Sequence, residues 1–293
     1  MKWLIFGSTG QLGQTLVNQL SNLHEVIPIS KKNVDITKIH DVDHVISKHR
    51  PDQIVNTAAW TNVIEAENNK EVAWAVNVDG AVNIAKAASK YQVTLTHIST
   101  DYVFDGNFSI PIGENEPQSP VNFYGETKAQ AEIEILNNYK DLVLIIRTSW
   151  LYSLFGHNFP KSILKKALSR PSDLIQVVDD QFGQPTSTNE LASKIQELGE
   201  KRITSGIIHG TTTGQTTWFD FATCLLDYAD LNSKILMPIK SDELASNVVR
   251  PKYSVLGHQN WSRIDLSPLG NWQDALKVLA PKLKREVAKS IAI

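Results

Sequence analysis

Tyr124 and Lys128 lie four residues apart in "VNFYGETKAQAEIEIL", whose apolar spacing is helical, so both side chains should leave one face of one helix. A phenol ordinarily titrates near ~10, so it exchanges a proton at neutral pH only where its anion is stabilised. A fixed ammonium one turn away would do that. Each tenfold gain in acidity corresponds to about 1.4 kcal/mol. Of the seven tyrosines, Tyr124 alone has a lysine four residues on. A surface tyrosine beside a solvated lysine is the ordinary alternative, so the pair draws its weight from the segments before it.

The chain opens with "KWLIFGSTGQLGQTLVNQL", a short apolar run stopping at Gly7 and an amphipathic pattern starting near Gln11. This reads as strand, glycine turn, helix. Gly7, Gly10 and Gly13 have a spacing that allows a tight turn, close backbone approach to a pyrophosphate and close helix packing on the strand. The phosphates would meet a helix N-terminus. Such a spacing could equally be a tight turn and nothing more, but this one occupies the first strand-to-helix turn of a βαβ unit.

Apolar strand-like runs recur at Leu4 to Phe6, Val26 to Ile29, Gln53 to Asn56, Thr94 to Ser99, Leu142 to Arg147 and Ile207 to His209. Helix-like segments alternate with them, notably Leu12 to Leu20, Ile39 to Lys48, Val72 to Tyr91 and Thr127 to Asn138. The alternation predicts an α/β fold, a doubly wound parallel sheet covered by helices on both faces, with a ligand beyond the carboxyl ends of the strands. After Arg147 the rhythm breaks in a cluster of Trp, Tyr, Gly, Asn and Pro. A dinucleotide-binding domain is therefore expected over residues 1–150, with 183–212 returning to it. A smaller, discontinuous substrate-binding region would take 151–182 and 213–293.

With 293 residues, 42% hydrophobic and 20% charged, the chain can bury a sizeable core. A formal charge of -2 and dispersed lysines and arginines argue against nucleic acid as a partner. The single cysteine, Cys224, offers neither an internal disulfide nor a metal cluster. No apolar segment approaches the roughly 20 residues needed to cross a bilayer. Without a membrane span or a secretory leader, the expected location is cytoplasmic.

Taken in order, "GSTGQLG", "NTAAWT", "STDYVFDG", "YGETK", "RTSWLY", "DQFGQPTS" and "RPKYSVL" resemble the extended short-chain dehydrogenase/reductases, in particular their dTDP-4-dehydrorhamnose reductase branch. The resemblance runs from Met1 to about Leu256 and implies a catalytic set of Thr100, Tyr124 and Lys128. Tyr124 would protonate a carbonyl oxygen as hydride arrives, Lys128 would bind the nicotinamide ribose and lower the Tyr124 pKa, and Thr100 would bond the same oxygen. A donor already in place at a developing oxyanion needs no solvent reorganisation. Thr100 could instead be a strand-end hydroxyl bonding its own backbone.

The same resemblance implies cofactor contacts from Gly7, Thr9, Gly10, Gln11 and Leu12, from Asp35 and Ile36 near the adenine, and from Ala58 and Ala59 past the ribose. Asp35 could equally be a helix N-cap. The second strand lacks the terminal acid that bonds the ribose of NADH; Ser30, Lys31 and Lys32 stand there instead, which favours the extra phosphate of NADPH, with NADH accepted as a second donor. The implied substrate residues are Tyr102 and Trp150 near a hexose, and Asn158, Phe159, Lys161, Gln184 and Arg250 along the nucleotide. Trp150 and Phe159 could be core aromatics, and Arg250 could pair with an acid. No metal is implied.

The activity implied is NAD(P)H-dependent reduction of a nucleotide-linked 4-keto-6-deoxy sugar, foremost dTDP-4-dehydro-L-rhamnose to dTDP-L-rhamnose, by a possible homodimer. Where many such reductases carry an acid, this chain has Ile64, which leaves room for a related ketoreductase of other stereochemistry. A sugar-nucleotide epimerase or dehydratase is disfavoured by the missing acid of the second strand and by a single carboxylate, Asp101, beside Thr100. A non-catalytic NADP-binding module, like the regulatory subunit of methionine adenosyltransferase, shares the fold.

Overall fold

The computed structural model describes residues 1–243 and 248–291. Its first half alternates β1 (Lys2–Phe6), α1 (Gln11–Leu20), β2 (Glu25–Ile29), α2 (Ile39–His49) and β3 (Gln53–Asn56). There follow α3 (Val63–Asn68), α4 (Lys70–Trp74), α5 (Gly80–Lys90), β4 (Thr94–Thr100), α6 (Phe123–Tyr139) and β5 (Val143–Thr148). The second half begins with β6 (Leu151–Tyr152), α7 (Phe159–Ser169), β7 (Ile175–Val178), β8 (Phe182–Gly183), β9 (Thr186–Ser187) and α8 (Thr188–Glu200). It continues through β10 (Gly206–His209), β11 (Thr216–Thr217), α9 (Trp218–Tyr228), β12 (Leu236–Ile239), α10 (Gln259–Arg263) and α11 (Trp272–Ile291).

Six strands form one parallel sheet in the order β10-β5-β4-β3-β1-β2. The order in which strands are added reverses at β1, with β2 on one side of it and β3 on the other, and the crevice at that switch point is where such a sheet binds a ligand. The strands read as unbroken apolar runs because both faces are covered. Leu4 and Phe6 of β1 face Ile54, Ile84 and Ala131 on one side, while Trp3 and Ile5 face Leu16, Val55 and Ile195 on the other. A third core, built from Ile163, Leu164, Phe221, Leu225, Leu276 and Leu283, joins α7, α9 and α11 over the strand pair β7–β12. Among the described residues, no helix is long and apolar enough to cross a membrane.

Two helices depart from the sequence expectation. The segment expected as one helix over Val72 to Tyr91 is α4 and α5 joined by a π turn at Ala75–Asp79. A π turn inserts one residue into the helical ladder, and here it carries Asn77 into the interior. The Asn77 amide accepts from the Trp60 N–H at 2.7 Å and donates to the Trp60 carbonyl at 3.1 Å and to Thr127 Oγ1 at 2.9 Å. Helix α6 starts four residues earlier than expected because Asn122 Oδ1 accepts the Gly125 N–H at 2.9 Å and caps it.

Helix α6 is clamped to β5 by an ion pair in the dry core. Arg147 Nη2 donates to Glu132 Oε2 at 2.7 Å, Arg147 Nε lies 3.1 Å from both carboxylate oxygens, and the two side chains are 3% and 0% exposed. Removing one partner strands a buried charge. Glu132→Ala should therefore lower stability by about 3–5 kcal/mol in urea denaturation, whereas an effect under ~1 kcal/mol would mean that the arginine reaches solvent in the variant.

Candidate active site

The glycine turn is shaped by what surrounds it. Gly7 has φ +76°, and a Cβ there would lie 2.5 Å from the Ala58 nitrogen and 2.7 Å from the Thr57 carbonyl carbon. A Cβ on Gly13 would strike the Gly7 carbonyl. The turn therefore packs backbone on backbone, and α1 begins beyond Gly10 without a side-chain cap, leaving its first N–H groups to meet an anion. Beside it lies a cavity of about 230 Å³ lined by Gly7, Thr9, Gly10, Ser30, Lys31, Asp35, Ile36, Ala58 and Ala59 among others. This backbone cradle and its mixed polar and apolar walls fit a dinucleotide.

Asp35 faces that cavity but is not the N-cap of α2, which begins at Ile39. Its Oδ1 accepts the Thr37 N–H at 3.1 Å and the Thr37 hydroxyl at 2.7 Å, a local turn that holds the carboxyl below its usual value. Lys31 lines the same wall, while Lys32 is exposed outside it.

A second cavity of about 540 Å³ shares Thr9, Gly10, Thr57 and Ala59 with the first, so the two form one cleft along the strand ends. Gln11, Leu12, Thr100, Tyr102, Tyr124, Lys128 and Trp150 line it. Helix α6 presents Tyr124 and Lys128 on its buried face. Helix α6 also runs close to the turn after β4: a Cβ on Gly125 would meet the Tyr102 carbonyl. The Tyr102 and Tyr124 rings meet edge to face at 5.7 Å. Thr100 Oγ1 donates to Asp101 Oδ1 at 3.0 Å and accepts the Tyr102 N–H at 3.2 Å. Both the local backbone bond and the cleft-lining position thus hold for Thr100. Among the described residues, no cluster of His, Cys, Asp or Glu could hold a metal ion.

One electrostatic expectation is corrected. The Tyr124 phenol is shifted up rather than down: burial dominates, the Thr100 hydroxyl works against it, and the Asp101 charge adds to it. Lys128 does not offset this, because burial draws its own amine down to about 8 against the pull of Glu132. Lys128 Nζ donates to the Ile98 carbonyl at 2.8 Å and lies 3.2 Å from His97 Nε2.

The residues expected along the nucleotide behave differently from Tyr102 and Trp150. Asn158 caps α7 through the Lys161 N–H at 3.1 Å and donates to Gln11 Oε1 at 3.0 Å. Phe159 packs against Trp218 and Phe221. Lys161 Nζ is taken up by the carbonyls of Leu154 and Gly156. Gln184 is buried and ties β8 to the Leu256 backbone and Thr211. These four act within the scaffold here. Arg250 has a buried Nε without a partner, and its charge reaches Tyr102, whose phenol burial still pushes up to about 12.

Sequence reasoning did not assign Asp101, Ser99, Thr148 or His157 to the site, although all line the cleft. Asp101 was visible beside Thr100, but its burial was not. It is 2% exposed, and burial raises its carboxyl to about 6 against the hydroxyls of Ser254 and Thr100, which pull it down. Trp218 was also missed. It stacks on Trp150 with ring centroids 3.5 Å apart and planes 9° from parallel, and Trp150 itself has a left-handed backbone conformation at φ +47°.

The model of the RmlD substrate binding domain family matches residues 1–285. The chain is 39% identical to a dTDP-4-keto-6-deoxy-D-glucose reductase of Streptomyces niveus, covering 97% of this chain and 98% of the relative. It is 37% identical to a dTDP-4-dehydrorhamnose reductase of Streptomyces griseus, covering 96% and 94%. The crystal structure of a Bacillus anthracis dTDP-4-dehydrorhamnose reductase in complex with NADP superposes with a TM-score of 0.90 at 33% identity, over 94% of this chain and 97% of that one.

The raised carboxyl of Asp101 gives a stability signature. The folded state holds the proton to about pH 6 while the unfolded chain releases it near 3.8, so stability falls as pH rises between those values. Asp101→Asn keeps the shape and removes that loss. Its Tm should exceed that of the parent at pH 7.5, with the difference shrinking towards pH 4; a difference independent of pH would refute the buried, raised carboxyl.

Proposed function

The chain belongs to the RmlD substrate binding domain family, and from that membership we propose that it uses NADPH to reduce the 4-keto group of a dTDP-linked 4-keto-6-deoxyhexose, foremost dTDP-4-dehydro-L-rhamnose. The observation that carries this reading is one cleft lined at one end by Gly7, Lys31 and Asp35 and at the other by Thr100, Tyr124 and Lys128. NADPH, when bound, supplies the hydride that adds to the keto carbon. The residues of the chain then have separable tasks.

Tyr124 and Thr100 are the hydroxyls placed to bond the carbonyl oxygen, and Tyr124 donates the proton that turns the developing alkoxide into an alcohol. A phenol shifted up by burial is a poor acid in the resting protein, which matches a group that gives its proton only to a strongly basic oxygen. Lys128 holds the ribose side of the cofactor. Lys31, at the mouth of the adenine cavity, is the residue we assign to the extra phosphate of NADPH. Tyr102 and Trp150 form the wall against which the hexose would rest. We assign residues 151–182 and 213–293 to the substrate region, with 183–212 returning to the sheet, and we place the enzyme in the cytoplasm as a homodimer, in line with the sequence expectation.

A second substrate is supported by the Streptomyces niveus relative, whose name specifies dTDP-4-keto-6-deoxy-D-glucose. Offering the purified protein both keto-sugars with NADPH, and identifying the alcohol by NMR, separates the two. No NADPH oxidation with either would overturn the reading. Tyr124→Phe should lower kcat by at least ~100-fold with the Kd for NADPH nearly unchanged; an undiminished kcat would remove Tyr124 from the chemistry. Lys31→Glu should weaken NADPH about tenfold or more relative to NADH, read from the ratio of the two KM values.

A further inference from the structure

Beneath Lys128, β3 and β4 carry Asn56 and His97 into the interior, 1% and 0% exposed. The direction of their hydrogen bonds can be traced from a backbone donor. The Ala58 N–H donates to Asn56 Oδ1 at 3.0 Å, which fixes the orientation of the amide. Its other end, Nδ2, carries two protons and no available lone pair, and it faces His97 Nδ1 at 3.2 Å. Nδ1 must accept. The one ring proton of a neutral imidazole then sits on Nε2, which faces Lys128 Nζ at 3.2 Å. An ammonium has three donors and no acceptor, so it would meet Nε2–H donor to donor, whereas a free amine offers a lone pair and still donates to the Ile98 carbonyl at 2.8 Å.

We infer that His97 is a positioning residue whose Nε2–H donates to Lys128 and holds it as the free amine in the cofactor-free protein. The other arrangements each set like against like. A proton on Nδ1 opposes Asn56 Nδ2, and turning the amide to relieve this sets Nδ2 against the Ala58 N–H. An imidazolium opposes Asn56 in the same way, and burial holds His97 well below its ordinary value and so neutral. Burial lowers Lys128 in the same sense but only to about 8, against the pull of Glu132, and the His97 Nε2–H donor is what carries it below that.

The charged and titratable groups around the amine are few. Glu132 of α6 favours the ammonium but is engaged by Arg147 of β5, β3 contributes the uncharged Asn56, and Tyr124 and Asp101 are both pushed towards their neutral forms. Protonating Lys128 therefore requires the ring proton of His97 to move and the Asn56 amide to give way. The three side chains titrate as one unit rather than as an isolated lysine.

The inference rests on the reductase reading for what Lys128 does, but its test needs no turnover. In ¹⁵N-labelled full-length protein without cofactor, the His97 ring nitrogens, assigned by their loss in His97→Gln, should report a neutral ring protonated on Nε2 that does not titrate between about pH 5 and 8. Asn56→Asp reverses the polarity at nearly constant shape, since a carboxylate accepts from both the Ala58 N–H and Nδ1–H. It should move the ring proton to Nδ1 and raise the Lys128 titration, followed by its side-chain ¹³Cε shift, by at least about one pH unit. A wild-type ring protonated on Nδ1, or charged at neutral pH, overturns the inference, as does an Asn56→Asp protein that folds and leaves the tautomer unchanged. If that variant does not fold, the wild-type tautomer alone decides. The predicted tautomer without turnover of any keto-sugar would count against the reductase reading and leave His97 where it is placed.

Discussion

Keeping a primary amine in a dry interior beside a phenol is the demand that most of the surrounding architecture meets. Lys128 is 2% exposed, and an ammonium there without compensation would be costly. The carbonyl of Ile98 at the end of β4 takes one of its protons, and His97 stands against its other side. The helix that carries it cannot drift, because Asn122 caps its start, Asn77 holds Thr127, and Arg147 grips Glu132 one turn further on. These contacts come from four separate segments. Each fixes the α6 backbone or the amine itself, so the distance between the amine and the glycine turn is set by rigid elements rather than by a loop.

The sheet topology explains why that amine can meet a dinucleotide at all. Reversal of the strand order at β1 opens a crevice beyond the ends of β1 and β3, and Gly7 brings the backbone of the first turn against Thr57 and Ala58 of the third. One continuous cleft then runs past Thr9 and Ala59 to Tyr124. The α-helical part with its own core, packed over β7 and β12, contributes to this cleft chiefly through the segment from Trp150 to His157.

Much of this was legible in the sequence, for reasons that differ from part to part. The six strands stood out because a parallel sheet covered on both faces leaves long apolar runs, as in "LIIRT" and "QIVN". The glycine turn was legible because only glycine fits where Gly7 and Gly13 sit, and the Tyr124–Lys128 spacing because helical geometry is local. What depended on partners far along the chain was not. Nothing near Asn158 in sequence shows that Gln11 will accept its amide proton, and nothing near Gln184 shows that it will bridge to Leu256. The π turn at Ala75–Asp79 is a one-residue insertion with no compositional mark. The proton affinities of Tyr124, Asp101 and His97 depend on burial, which the residue types alone do not disclose; a histidine inside "TLTHIST" looks like any core-facing polar residue until its two neighbours are known.

The stacked indoles of Trp150 and Trp218 have a consequence of another kind. Two aromatic chromophores in face-to-face contact share their electronic transitions, and one of this pair belongs to the wall of the cleft while the other starts helix α9. Any displacement of the cleft rim relative to that helix alters their overlap, so the protein carries an internal optical gauge whose near-ultraviolet circular dichroism follows the geometry of the rim without any attached label.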